Sequence, residues 1–129
     1  MLVEPACNRT PEGPVAFARQ SGALGLAMLE AARQLNLGIS NFASIGNSAD
    51  VTASDLLELW DTDERTRVIL LYLEAITEPR RFLEVARRVG RRKPIVAVKA
   101  GRSTSGARAA SSHTGALAAG DVLVDALLL

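Results

Sequence analysis

The sequence predicts an α/β domain in which a parallel sheet of about four strands is wrapped by helices. Three observations lead there. Short apolar runs of strand length alternate with longer stretches of helical period from Gly13 onward. The run "RVILLYLE" (67–74) is apolar on both faces, as a strand covered on both sides must be. At 129 residues, 48% of them apolar and 4% aromatic, the chain suffices for one domain with a core of Leu, Ala and Val, and is too short for two ordinary ones.

Residues 1–13 hold Pro5, Pro11 and Gly13 without periodicity and read as a linker or trimmed boundary, which leaves 14–129 as the domain. "PVAFA" (14–18) is the first strand. The stretch "SGALGLAMLEAARQLNLG" follows, with Leu24, Ala27, Met28, Ala31 and Leu35 at helical spacing and Gly38 placed to end the helix. "ISNFASI" (39–45) is the second strand, and "TASDLLELW" (52–60) a short helix capped by Thr52 or Ser54. The strand at 67–74 leads to a helix over 79–90, where Pro79 suits the first turn and Phe82, Val85, Ala86 and Val89 form the inner stripe. "PIVAVKA" (94–100) is the fourth strand, and the loop 101–119 leads into a last helix near 120–129. The chain ends on "DALLL" with no closing strand, so a piece of a longer protein is expected, with an open sheet edge that favours association with a second copy.

Composition narrows the function. A formal charge of +1 argues against bulk nucleic-acid binding. Cys7 is the only cysteine, which excludes an internal disulfide, and with one histidine a protein-only metal site is not expected. No apolar run approaches the roughly 20 residues of a membrane helix, and "MLVEPACNRTPE" lacks a signal-peptide layout. A soluble cytoplasmic domain is expected.

In open parallel sheets, ligands sit beyond the carboxyl ends of the strands. Ser21-Gly22, Gly46-Asn47, Glu74 and the single histidine, His113, should therefore share one rim. Ser21 and Gly22 follow a strand and open a helix whose free N–H groups suit an anion, although an ordinary serine cap reads the same way. "GRSTSGAR" has two glycines at phosphate-loop spacing, but Ala107 and Arg108 stand where Lys and Ser or Thr are needed. It is either a mobile surface loop or a set of backbone donors supplemented by Lys99, Arg102 and Arg108. Glu74 ends an apolar strand, where a carboxylate either is simply solvated or accepts the N–H of an imidazole and frees the other nitrogen as a nucleophile. His113, in "SSHTGALAAG", is by itself a loop histidine or that nucleophile.

Together, "PVAFARQSGALG", "IGNSADV", "ILLYLE", "PIVAVKAGRS" and "ASSHTGALAAG" resemble the succinyl-CoA-ligase-like domain of NDP-forming acyl-CoA synthetases, the group of ADP-forming acetyl-CoA synthetase and the succinyl-CoA synthetase α subunit. The resemblance runs from about Gly13 to the C-terminus. It implies a flavodoxin-like three-layer sandwich and an active-site histidine that becomes phosphorylated. Acyl-CoA and phosphate then interconvert with an acyl phosphate and CoA, and the phosphoryl group passes through the histidine to ADP.

Carried over by position, His113 matches the phosphorylated histidine and Glu74 the carboxylate that holds its ring. Ser21, Gly22 and Ala23 match the phosphate-binding helix start, with Gly115 among small residues that let the loop approach. Arg19, Gly46, Asn47 and Arg102 are further candidates at the same rim. Arg19 stands where the family usually has the first serine of Ser-Gln-Ser-Gly. The resemblance also implies that CoA and ATP/ADP with Mg2+ are bound elsewhere, on a CoA-binding Rossmann domain and an ATP-grasp domain or subunit. No cofactor is expected on this domain alone, which should not complete the reaction by itself. The alternative is a non-catalytic, metabolite-responsive domain such as those fused to lysine acetyltransferases, which Arg19 favours. An FMN-binding flavodoxin fits less well, because the first loop lacks a Thr/Ser-rich cradle and few aromatics could sandwich a flavin.

Overall fold

A computed structural model describes residues 2–4, 11–22 and 25–100 of the chain. The elements run β1 (Leu2–Glu4), β2 (Glu12–Arg19), α1 (Gly25–Gln34), β3 (Ile39–Ser44), α2 (Ala53–Thr62), β4 (Val68–Leu73), α3 (Pro79–Gly90) and β5 (Ile95–Lys99). They build one five-stranded sheet in the order β1-β3-β2-β4-β5. The last four are parallel to one another, so the parallel part carries the second-first-third-fourth order of flavodoxin-like folds.

The expected linker over 1–13 contributes to the sheet. Leu2–Glu4 pairs antiparallel with β3, with Val3 opposite Ala43. β2 already begins at Glu12, because Gly13 and Gly38 let the two backbones meet: a Cβ on Gly13 would lie 2.3 Å from the Gly38 Cα. Gly38 serves this contact rather than ending α1, which stops at Gln34 and turns through Asn36 at φ 52°.

Because β2 to β3 runs one way along the sheet and β3 to β4 to β5 the other, right-handed crossovers put the helices on opposite faces. On one face, Leu56, Leu57 and Trp60 of α2 and Phe82, Val85 and Val89 of α3 pack on Ala16, Ala18, Ala43, Ile69 and Leu71. The small alanines of β2 and β3 make room for Trp60 and Phe82. On the other face, α1 lies over Val15, Phe17, Ile39 and Phe42.

Local chemistry sets most boundaries. Thr52 caps α2 through a reciprocal box: its hydroxyl accepts from the Asp55 N–H, and the Asp55 carboxylate accepts from the Thr52 N–H at 2.8 Å. Pro79 opens α3 directly after Glu78 in the left-handed region. The face of α1 is the exception. Gly25 and Ala32 are buried and Met28 and Leu29 pack beside them, whereas Ala27 and Ala31 are exposed and Leu35 is 78% exposed. The expected stripe is thus rotated by about one position. Apolar residues surround this helix, so periodicity alone cannot choose the buried side; the fit against Phe17 and Ile39 does.

Candidate functional site

The carboxyl ends of β2, β3, β4 and β5 face the same side because the strands are parallel. The chain leaves β2 toward one side of the sheet and β4 toward the other, which opens a crevice between these two neighbours. Glu74, the residue after β4, stands in that crevice and is 6% exposed. Its Oε2 is buried without a hydrogen-bond partner among the described residues. A carboxylate oxygen in that position is poised to accept a donor, since leaving it unpaired is costly.

Gln20, the residue after β2, fixes where Glu74 stands. Its side-chain carbonyl accepts the backbone N–H of Glu74 at 2.5 Å and of Ala75 at 2.9 Å. Its amide nitrogen donates to the Ser48 hydroxyl at 2.9 Å and to the Ala75 carbonyl at 2.8 Å. Sequence reasoning passed over Gln20. The signal was there: a polar side chain at the end of an apolar strand, on the ligand edge of the sheet.

Ser21 is half-buried and Gly22 exposed, with open space where a Gly22 Cβ would be. α1 is described from Gly25 onward, and the Gly25 N–H donates to the Gly22 carbonyl. Arg19 Nη1 also donates to the carbonyls of Ser21 and, at 2.8 Å, Gly22. The same guanidinium lies over the Phe42 ring, 5.1 Å from its centre, and occupies the space that a Gly25 Cβ would need.

Beyond β3, Gly46 takes φ +53° and the Asn47 side chain accepts the Ala49 N–H, forming a tight turn. This turn lines a cavity of about 330 Å³ with Ser44, Asp50 and Val51. Beyond β5, Lys99 is buried and its Nζ donates to the Ala100 carbonyl. The described parts of the rim thus bring together Ser21, Gly22, Glu74 and the Gly46-Asn47 turn, with Gln20 at their centre. Ala23, Arg102, His113 and Gly115 lie outside the described residues. Among the described residues, no helix is long and apolar enough to cross a membrane.

Comparison with known proteins agrees with this fold. The α subunit of acetate–CoA ligase [ADP-forming] I from Pyrococcus furiosus is 49% identical over 88% of this chain and 25% of that protein. Acetate–CoA ligase [ADP-forming] from Methanocaldococcus jannaschii is 47% identical over 90% of this chain and 16% of its own length. A solved structure of Ca. Korarchaeum cryptofilum dinucleotide forming acetyl-coenzyme A synthetase 1, in complex with phosphate and ADP, superposes with a TM-score of 0.85 at 46% identity, covering 92% of this chain and 26% of that one. The chain therefore spans a quarter or less of the curated relatives it matches here. Residues 12–129 match the family described as succinyl-CoA ligase like flavodoxin domain, and the chain belongs to that family.

Proposed function

We propose that this chain is the phosphohistidine-carrying domain of an NDP-forming acyl-CoA synthetase. The observation that carries the reading is the buried Glu74 carboxylate in the crevice between β2 and β4, with Oε2 unpaired among the described residues. Its chemistry fits an imidazole N–H, and His113 is the only imidazole the chain has. The kinship with ADP-forming acetate–CoA ligases supports the same reading.

The neutral His113 ring attacks the phosphorus of an acyl phosphate with one nitrogen while its other nitrogen keeps a proton that points to Glu74. A nitrogen–phosphorus bond forms, the bond from phosphorus to the acyl oxygen breaks, and the carboxylate leaves with the electron pair. Transfer of the phosphoryl group to ADP reverses the ring's part, so no proton leaves the imidazole in either step. Ser21, Gly22 and Ala23 offer backbone N–H groups to the phosphoryl oxygens, with Gly115 allowing close approach. Gly46 and Asn47 stand at the same rim, and Arg102 is assigned as a further phosphate contact by the reading of the sequence. Arg19 acts on phosphate only indirectly, by holding the carbonyls of Ser21 and Gly22 away from it.

CoA and ATP/ADP with Mg2+ are bound by a CoA-binding Rossmann domain and an ATP-grasp domain or subunit, and the whole works in the cytoplasm.

The test is phosphoryl transfer from γ-labelled ATP in the presence of a matching ATP-grasp partner. Acid-labile, alkali-stable label on the chain, lost in His113→Ala and at least about tenfold slower to form in Glu74→Gln, is the expected result. No label, with the partner active on another domain of the family, overturns it.

A further inference from the structure

We propose that Gln20 is a positioning residue for the phosphoryl-transfer site, holding Glu74 in place by clamping three loops of the rim; this rests on the Glu74–His113 reading above. A primary amide has two donor hydrogens and a carbonyl with two lone pairs. All four are used here, on Ser48, on the Ala75 carbonyl, and on the N–H groups of Glu74 and Ala75. The Gln20 backbone N–H adds a bond to the Tyr72 carbonyl at 3.1 Å.

The need for the clamp follows from the sheet. Pairing of β2 with β4 ends at Arg19 opposite Tyr72, and pairing of β4 with β5 ends at Leu73 opposite Lys99. The Glu74 N–H therefore lies one residue past the ladder, and Gln20 supplies the acceptor that a further strand residue would have given. On its other side the amide reaches Ser48, which is 5% exposed and held at φ +60°, a left-handed geometry that costs a serine energy. One side chain thus registers the Gly46–Val51 turn against the carboxylate. The charged groups on the flanking strands are Arg19, engaged with the Ser21 and Gly22 carbonyls, and Lys99, engaged with the Ala100 carbonyl.

The experiment measures the initial rate of His113 phosphorylation against pH for the whole chain with its ATP-grasp partner, alongside thermal melts. Gln20→Met keeps the length and loses all four bonds. It is expected to lower the rate by roughly tenfold or more. It should also move the acid limb to lower pH, as Glu74→Gln does, because an imidazole without its carboxylate gives up its proton more readily. A part played only in folding would lower the melting temperature and leave the limb in place. Gln20→Glu differs by one group and decides the matter if Gln20→Met fails to fold. Protonated, the new carboxyl reproduces the acceptor and one donor; ionised, it loses both donors, so a descending limb that the wild type lacks should appear as pH rises. Wild-type labelling with unshifted profiles in the folded variants overturns the positioning role alone. Absence of His113-dependent label on the wild type overturns the underlying reading and this role with it.

Discussion

Replacing Gly25 by alanine should destabilise the domain, and removing Arg19 should abolish that penalty. Gly25 opens α1 without a positive φ, so its backbone accepts alanine, and helix propensity by itself would favour the change by up to about 1 kcal/mol. The obstacle is the Arg19 guanidinium: the new Cβ would lie 1.9 Å from Cζ and 2.3 Å from both Nε and Nη1. The group must move, giving up its bonds to the Ser21 and Gly22 carbonyls and its seat over Phe42. Part of this region is exposed to water, so the loss is taken at the low end for such contacts, about 2–3 kcal/mol in total.

Gly25→Ala alone should therefore cost about 1–2 kcal/mol, the loss less the propensity gain. In an Arg19→Ala background it should be neutral or stabilising by up to about 1 kcal/mol. Urea denaturation of the four proteins gives the coupling, expected near 2 kcal/mol, or about 8 °C in melting temperature between the extremes. If the two substitutions add to within about 0.5 kcal/mol, the guanidinium does not fill the space beside Gly25 and the account of this loop is wrong.

Two further outcomes are expected. Leu57 is fully buried between α2 and the sheet, whereas Leu59 on the same helix is 56% exposed. Leu57→Ala should cost about 2–5 kcal/mol and Leu59→Ala less than about 0.5, read as urea midpoints; equal losses would mean that α2 packs by another face. The second concerns acid. Hydrogen bonds from the Thr52 backbone and hydroxyl, opposed by some burial and aided by Arg81, hold the Asp55 carboxyl below its ordinary value of 3.8. A depressed folded pKa means stability that is fully present above the ordinary value and lost as pH falls through the folded one. Asp55→Asn should therefore flatten the decline of stability below about pH 4. An unchanged slope between pH 2 and 5 would show that the capping box is not what acid breaks.

How much of this could be read from the chain depends on the range of the interaction that decides it. The helix over Pro79–Gly90 is fully written in sequence, since a proline start and the Phe82, Val85, Val89 spacing are local facts. The same holds for Thr52 as a cap and for β4 as a central strand. Glu74 at the rim follows from strand length and parallel topology alone. The rotation of α1, by contrast, was not legible, because its apolar residues surround the helix and only the shape of the opposing sheet face selects Gly25, Met28, Leu29 and Ala32.

The place of Arg19 was also hidden, since nothing in "ARQSG" says that the arginine folds back onto two carbonyls. The strand at Leu2–Glu4 reads as linker until β3 offers it an edge. By itself, the sequence determined which segments between Glu12 and Lys99 are strands and helices and how they alternate, because period, turn residues and order along the chain are local properties. Only the tertiary structure decided that Gln20 meets Ser48, 28 residues away, and Ala75, 55 residues away. Such meetings are fixed by strand register and loop geometry summed over the whole sheet, and no short stretch of sequence contains that sum.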